Sequence, residues 1–354
     1  MGVAIDYLLL RALFATIILF GVAHGAKPIF VFGDSYVDTG NRNYSEAPWR
    51  NPYGITWPGH PSGRFSNGLL LTDFVAKAMK SKSPTPYRFY TKYSRSLRDV
   101  VKHGLNFGVG GSGVFQAFDP RNFSVQVDQL KGVLQTIPQQ LFPLEHTPVL
   151  VSFVGNDYRY YLATNGTLKE LPVYITKVVT EVTRNIIRLY GLGLKRFVVG
   201  NIEPLGCVPS LTASVSYKRC LTTYDPLVQF HNQLLAQQLN ATFTALKGAD
   251  YFILDQYKAF QSVIANPSPF GIKHRLRPCC TPKPGNIDSC GEVDKNGEPL
   301  YEVCSSPETH FFWDGLHPTQ AGWTALTSSS FVGGNSPHNK SANLATWLQN
   351  EPTS

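Results

Sequence analysis

The sequence carries no internal repeat, no heptad run and, beyond its first 25 residues, no long apolar span. Solenoids, coiled coils and multi-span membrane proteins are thereby excluded. It has no C-x₂-C pair and no histidine at ligand spacing from its thiols, so zinc is a poor reading of the cysteines. G-x-S-x-G is also missing. Gly110-Gly111-Ser112-Gly113-Val114 comes closest and lacks the last glycine, which argues against an ordinary α/β-hydrolase. Charged residues are sparse at 16%, and although the net charge is +8 the Lys and Arg are scattered. The densest basic cluster, Lys273 to Arg277, is short. With no basic helix, recognition module or aromatic-basic platform, no nucleic-acid partner is expected.

What is present is a globular composition, 43% hydrophobic, on a chain long enough to bury a sizeable core. Leu8 to Val22 is nearly all apolar apart from Arg11, and small residues come next at Ala23, Gly25 and Ala26. The uninterrupted part, Ala12 to Val22, falls short of the ~20 residues that span a bilayer. It has the form of a secretory signal cleaved near Gly25 or Ala26. Two further features agree with secretion. The six cysteines, Cys207, Cys220, Cys279, Cys280, Cys290 and Cys304, are an even set whose pairing the spacing leaves open. Adjacent Cys279 and Cys280 are expected to take different partners, and the Cys207 to Cys220 loop is short enough to close. N-glycosylation triplets begin at Asn43, Asn122, Asn165, Asn240 and Asn339.

Compact apolar runs occur at Pro28 to Phe32, Gly104 to Phe107, Pro148 to Val154, Arg196 to Val199 and Tyr251 to Leu254. Continuous rather than alternating runs suit parallel strands covered on both faces. Between them lie helical patterns. Ile175, Val178, Val179, Val182, Ile186 and Leu189 form one helix face, and Leu227, Phe230, Leu234, Leu235 and Leu239 form another. The alternation predicts a doubly wound α/β layer structure. Two stretches break it: the Pro-, Gly- and aromatic-rich Asn41 to Asn67, and the cysteine-rich Arg275 to Pro307. The expected organisation is a signal peptide over 1–25, one catalytic domain over 26–332 and a loose tail over 333–354.

Four segments carry candidate chemistry. Phe32-Gly33-Asp34-Ser35 sets a serine just past a strand's carboxyl end, the edge where open α/β sheets assemble their sites. Asp314-Gly315-Leu316-His317 sets an acid three residues before a histidine. That spacing lets the carboxylate hold Nδ1 while Nε2 takes a serine proton. The bland alternative is that Asp314 caps a helix starting near Thr319. Asn106 to Gly113 is rich in glycines that can turn backbone N–H groups into a site, and Asn156, after the third strand, offers a side-chain amide.

Together these blocks resemble the plant branch of the GDSL esterase/lipase family, within the SGNH hydrolase superfamily. Supporting blocks are Asp38 to Asn41, Pro52-Tyr53-Gly54, Gly63 to Gly68 and Pro204 to Pro209. The resemblance implies a flavodoxin-like three-layer α/β/α fold with a mainly parallel five-stranded sheet. It also implies hydrolysis of carboxylic esters without metal or other cofactor. Carried over residue by residue, the nucleophile falls on Ser35 and the acid and base on Asp314 and His317. The oxyanion donors fall on Ser35, Gly110 and Asn156, with Gly111 replacing Gly110 if the match shifts by one. Two positions depart from the family pattern: Tyr36 replaces leucine in its name-giving motif, and Glu203 precedes Pro204 where a proline is usual.

The expected partner is an ester, whether a lipid, another acyl ester or an acylated wall polymer, met by a secreted monomer in the cell wall or apoplast. Transfer of acyl groups to alcohols, or action on cutin or wall-polysaccharide esters, would use the same site. A non-catalytic binding protein has no need of Asp314 and His317. A dinucleotide oxidoreductase would use Gly108 to Gly113 as G-x-G-x-x-G, but Pro120 interrupts the segment after the glycines and Asp128 falls inside an amphipathic run.

Overall fold

All five apolar runs form parallel strands, and a sixth short strand joins them. In this computed structural model, which describes residues 28–93, 97–137, 141–286, 290–331 and 343–349, the strands are β1 Ile29–Gly33, β2 Thr85–Pro86, β3 Gly104–Asn106, β4 Pro148–Ser152, β5 Arg196–Gly200 and β6 Asp250–Leu254. Their order is β2-β3-β1-β4-β5-β6, every pairing parallel. The sheet therefore has six strands rather than five. The extra one is the two-residue edge strand β2, too short and too proline-limited to leave an apolar run.

Strand alternation divides the core. Phe30, Phe32, Leu105, Phe107, Val149, Val151, Phe197 and Val199 pack on one face beneath helices Phe123–Thr136, Leu171–Gly191 and Asp225–Ala245. Ile29, Val31, Leu150, Val198, Phe252 and Leu254 point to the other face, under helices Leu71–Ala78, Gln256–Ala265 and Gln320–Ser330. Both faces being covered explains why the strands read as unbroken apolar runs. Among the described residues no helix is long and apolar enough to cross a membrane.

The cysteines pair as Cys207–Cys220, Cys279–Cys304 and Cys280–Cys290, so the two neighbours do take different partners. The latter two bridges staple a small antiparallel pair, Cys280–Pro282 with Tyr301–Val303, beside buried Trp313 and Tyr53.

The chain end departs from the loose tail expected of it. Helix Leu344–Gln349 docks on the second core face, with Leu344, Trp347 and Leu348 buried at i, i+3 and i+4. Trp347 Nε1 donates to Asp250 Oδ2 at 2.7 Å, and the Arg196 guanidinium lies 4.4 Å from the Trp347 ring centre. The signal segment 1–25 and Asn339 lie outside the described residues.

Candidate active site

The sheet order reverses between β1 and β4: the chain leaving β1 forms β2 and β3 on one side, and that leaving β4 forms β5 and β6 on the other. The carboxyl ends of those two strands frame the crevice typical of open α/β sheets. Ser35 follows β1 and Asn156 follows β4. A glycine is required at the end of β1, because a Cβ on Gly33 would lie 2.0 Å from the Ser152 carbonyl oxygen. Asp34 then ties the two loops together, accepting from Tyr36 N at 3.1 Å and Val154 N at 2.7 Å. Burial pushes its carboxyl up to about 7 against the pull of those N–H groups.

The structure brings Ser35, His317 and Asp314 together across 282 residues of chain. His317 Nε2 lies 2.8 Å from Ser35 Oγ, and Nδ1 lies 2.8 Å from each Asp314 oxygen. All three are buried, Ser35 being 8% exposed. The Asp314 to His317 segment turns on its own carboxylate: Oδ1 accepts from Leu316 N and His317 N, both at 2.9 Å. Asp314 does not cap the next helix; Thr319 does, through Gly322 N at 2.8 Å. Burial alone would raise the Asp314 carboxyl, yet the adjacent His317 and these hydrogen bonds hold it below the ordinary carboxylate range. Ionised Asp314 fixes the tautomer with Nδ1–H, so Nε2 is free to accept the Ser35 proton.

Two residues that the sequence reading did not place in the site complete this geometry. Tyr53 OH donates to Asp314 Oδ2 at 2.8 Å, and its ring packs on Trp313 and Phe65. Phe65 lies 4.9 Å from the His317 ring, centre to centre. Both fall in blocks noted for the family resemblance, which was the available signal. Their contacts with the far end of the chain left no local mark.

The oxyanion candidates divide. Asn156 opens helix Asn156–Ala163 after left-handed Gly155 (φ 107°). One hydrogen of its amide goes to Ser112 O at 2.9 Å, leaving the other unassigned. Gly110, expected as a donor, gives its single N–H to buried Asp38 Oδ2 at 2.8 Å. Gly111, next along the loop at φ 81°, has an N–H with no acceptor among the described residues, as does Ser35. The dinucleotide reading fails in three dimensions as well. Val114 N and Phe115 N, just past the glycines, are held by Asp157 at 2.8 Å each, and Asp128 pairs with Arg188.

Two cavities meet at His317. One, of about 230 Å³, also touches Ser35 and Asn156 and is walled mainly by aliphatic and aromatic side chains such as Leu162, Ile175, Leu205 and Leu227. The other, about 540 Å³, touches Asp314 and Tyr53 but not Ser35, and is bounded by Pro278, Pro282, Lys283 and Pro284.

Comparison with known proteins agrees with this architecture. The family model for GDSL-like Lipase/Acylhydrolase matches residues 29–328. A GDSL esterase/lipase of Arabidopsis thaliana is 42% identical over 308 residues, covering 85% of this chain and 84% of the relative. A second from the same plant is 38% identical over 312 residues, covering 85% and 86%. A third, GDSL esterase/lipase 5, is 30% identical over 325 residues, covering 86% and 82%.

Proposed function

The chain belongs to the GDSL-like lipase/acylhydrolase family, whose members are carboxylic ester hydrolases of the SGNH fold, and on that premise we propose that Ser35 is its nucleophile, His317 its general base and acid, and Asp314 the carboxylate that orients His317. The observation that carries the reading is the unbroken hydrogen-bonded line from Ser35 Oγ through His317 to Asp314. His317 Nε2 takes the Ser35 proton as Oγ bonds to the ester carbonyl carbon, and the carbonyl electron pair moves onto oxygen. The N–H groups of Ser35 and Gly111 and the Asn156 amide receive that oxyanion. As it collapses, the bond to the alcohol oxygen breaks and the alcohol leaves with the proton from His317. Water repeats the sequence on the acyl-enzyme: His317 takes one of its protons as its oxygen bonds to the acyl carbon, the bond to Ser35 Oγ then breaks, and Oγ regains the proton from His317 as the acid leaves.

The cavities divide the substrate. The acyl carbon sits on Ser35 with its oxygen toward Asn156, so the acyl group takes the cavity that both residues line. The leaving alcohol lies on the His317 and Asp314 side, in the wider cavity. An apolar cavity of about 150 Å³ holds the six carbons of benzene, so by simple proportion the acyl cavity takes about nine heavy atoms. The proposed substrates are thus medium-chain acyl esters of a bulkier alcohol. The proposed setting is extracellular and the proposed state a monomeric single domain. Three disulfides and the exposed triplets at Asn43, Asn165 and Asn240 support the setting.

Hydrolysis of p-nitrophenyl esters by the secreted protein, beside Ser35→Ala and with EDTA present, tests this reading. Wild type should hydrolyse the esters and ignore EDTA, and the variant should lose at least ~10⁴-fold in kcat. A folded Ser35→Ala protein that keeps its rate overturns the assignment.

A further inference from the structure

Glu203 stands beside the candidate catalytic groups without a part in the chemistry above. It follows β5, where the family block usually has proline, is 2% exposed, and lines the acyl cavity with Ser35 and His317. Its Oε2 is buried and has no hydrogen-bond partner among the described residues, and Oε1 lies 3.2 Å from Tyr36 OH. An unpaired carboxyl oxygen in an apolar wall is costly, and a structural reason for it is missing.

Counting hydrogens shows what this oxygen can do. Tyr36 OH has one hydrogen and also lies 3.0 Å from the Leu316 carbonyl oxygen, which can only accept. If Tyr36 donates there, the contact with Glu203 Oε1 closes only when Glu203 supplies the second hydrogen. Glu203 is then a neutral acid with its proton on Oε1. Burial, the largest influence on this carboxyl, favours the same state by pushing it up to about 8. Oε2 becomes a carbonyl-type acceptor in the wall of the acyl cavity, and an uncharged Glu203 repels neither aliphatic carbon nor a hydroxyl.

We propose that Glu203 is a specificity residue whose Oε2 accepts a hydrogen bond from a hydroxyl carried on the substrate's acyl chain. The proposal rests on the ester-hydrolase reading and deepens it: the preferred acyl group is hydroxylated, and the hydroxyl lies within the stretch of chain that the cavity holds. A purely structural Glu203, bracing Tyr36 against the His317 ring 6.0 Å away, would affect every ester alike.

The test is the ratio of kcat/KM for hydroxyoctanoyl against octanoyl p-nitrophenyl esters, with the hydroxyl placed at successive carbons toward the chain end. It is measured for wild type, Glu203→Gln and Glu203→Met. One net hydrogen bond predicts that wild type favours at least one hydroxylated ester by about 3- to 10-fold. Glu203→Gln should retain that preference, because its amide can donate to Tyr36 and still turn an oxygen to the cavity. Glu203→Met should bring the ratio to one or below. Wild type with no preference at any hydroxyl position overturns the proposal without any variant, and so does a Glu203→Met protein that keeps the wild-type ratio. Loss of all ester hydrolysis in wild type, or its survival in Ser35→Ala, would instead strike the nucleophile reading.

Discussion

Replacing Tyr53 with Phe removes one hydroxyl and leaves the ring against Trp313 and Phe65, at 6.1 and 6.3 Å between centres. The lost bond is to an ionised carboxylate, and such bonds contribute about 1.5–3 kcal/mol. Asp314 Oδ2 keeps His317 Nδ1 at 2.8 Å, so the carboxylate remains paired. The bond acts in the resting enzyme and in the transition state alike. Only the extra demand for a fixed, ionised Asp314 as His317 becomes positive appears in the rate. Taking that part as about 1 kcal/mol, kcat falls about fivefold with KM little changed. The remainder should appear as stability, with a pH signature. Asp314 is held below its unfolded value, so its stabilisation is present above about pH 3.9 and is lost as pH falls through the folded value. Removing the phenol shrinks that depression. The stability gap between wild type and Tyr53→Phe should therefore be open at neutral pH and close under acid. Steady-state kinetics on one p-nitrophenyl ester, with urea unfolding at several pH values, gives both readings. An unchanged kcat, or a stability gap that persists unaltered into acid, would refute the argument that Tyr53 acts through the Asp314 charge.

The same geometry has other consequences. Asn156→Ala should lower kcat by about 10²–10³-fold if its amide receives the oxyanion, and a loss confined to KM would contradict that role. Within a p-nitrophenyl ester series, kcat/KM should rise about fourfold per methylene, as burial of about 0.8 kcal/mol each implies, and stop rising near eight or nine carbons. Continued growth to sixteen carbons would show that the 230 Å³ cavity does not bound the chain. Asp34, Asp38, Asp157 and Glu203 are raised by burial to about 7, 6, 6 and 8. Their contribution to stability is fully present below the unfolded values near pH 4 and is lost as pH rises through the folded ones, so urea unfolding should show stability declining from about pH 5 to 8. Glu203→Gln should flatten the upper part of that decline. Trp347→Ala should cost about 3–5 kcal/mol, measurable by the same unfolding, because it removes a buried ring from the core rather than a side chain from a tail.

The central strands are legible in the sequence because burial on both faces leaves no polar residue in Val149 to Val151 or Phe197 to Val199. The edge strand Thr85–Pro86 is not, since two residues carry no period. The C-terminal helix escapes notice for a related reason. Six residues with Leu344, Trp347 and Leu348 on one side make a short signal, and its partners Arg196 and Asp250 stand on β5 and β6, far away in the chain. At the candidate site, Asp314 and His317 are legible as a pair because they stand three positions apart and the turn is local. Tyr53 is not, because its contact with Asp314 spans 261 positions. Glu203 falls between these cases. Sequence marks it as a departure from the family block, but only the fold shows it buried against the acyl cavity.

The proposed use of Gly111 rather than Gly110 follows from how the loops around Ser35 are held. Each is tied to the next by a buried carboxylate that accepts backbone N–H groups. Asp34 joins the β1 loop to the β4 loop through Val154 N. Asp38 joins the β1 loop to the β3 loop through Gly110 N. Asp157 joins the β4 loop to the β3 loop through Val114 N and Phe115 N. The N–H groups of Gly110, Val114 and Phe115 lie on either side of Gly111 and hold the loop in position. Oxyanion donors stabilise a transition state only if they need not reorganise when charge appears, so their neighbours must already be fixed. A glycine loop whose amides were all free would be mobile, and one whose amides were all bonded could receive nothing. The arrangement bonds Gly110, Val114 and Phe115 and leaves Gly111 open, which gives a fixed frame beside an available donor. The same reasoning explains why three carboxylates that burial makes unfavourable stand within one loop cluster: each holds in place a segment that a neutral side chain with one acceptor would hold less firmly.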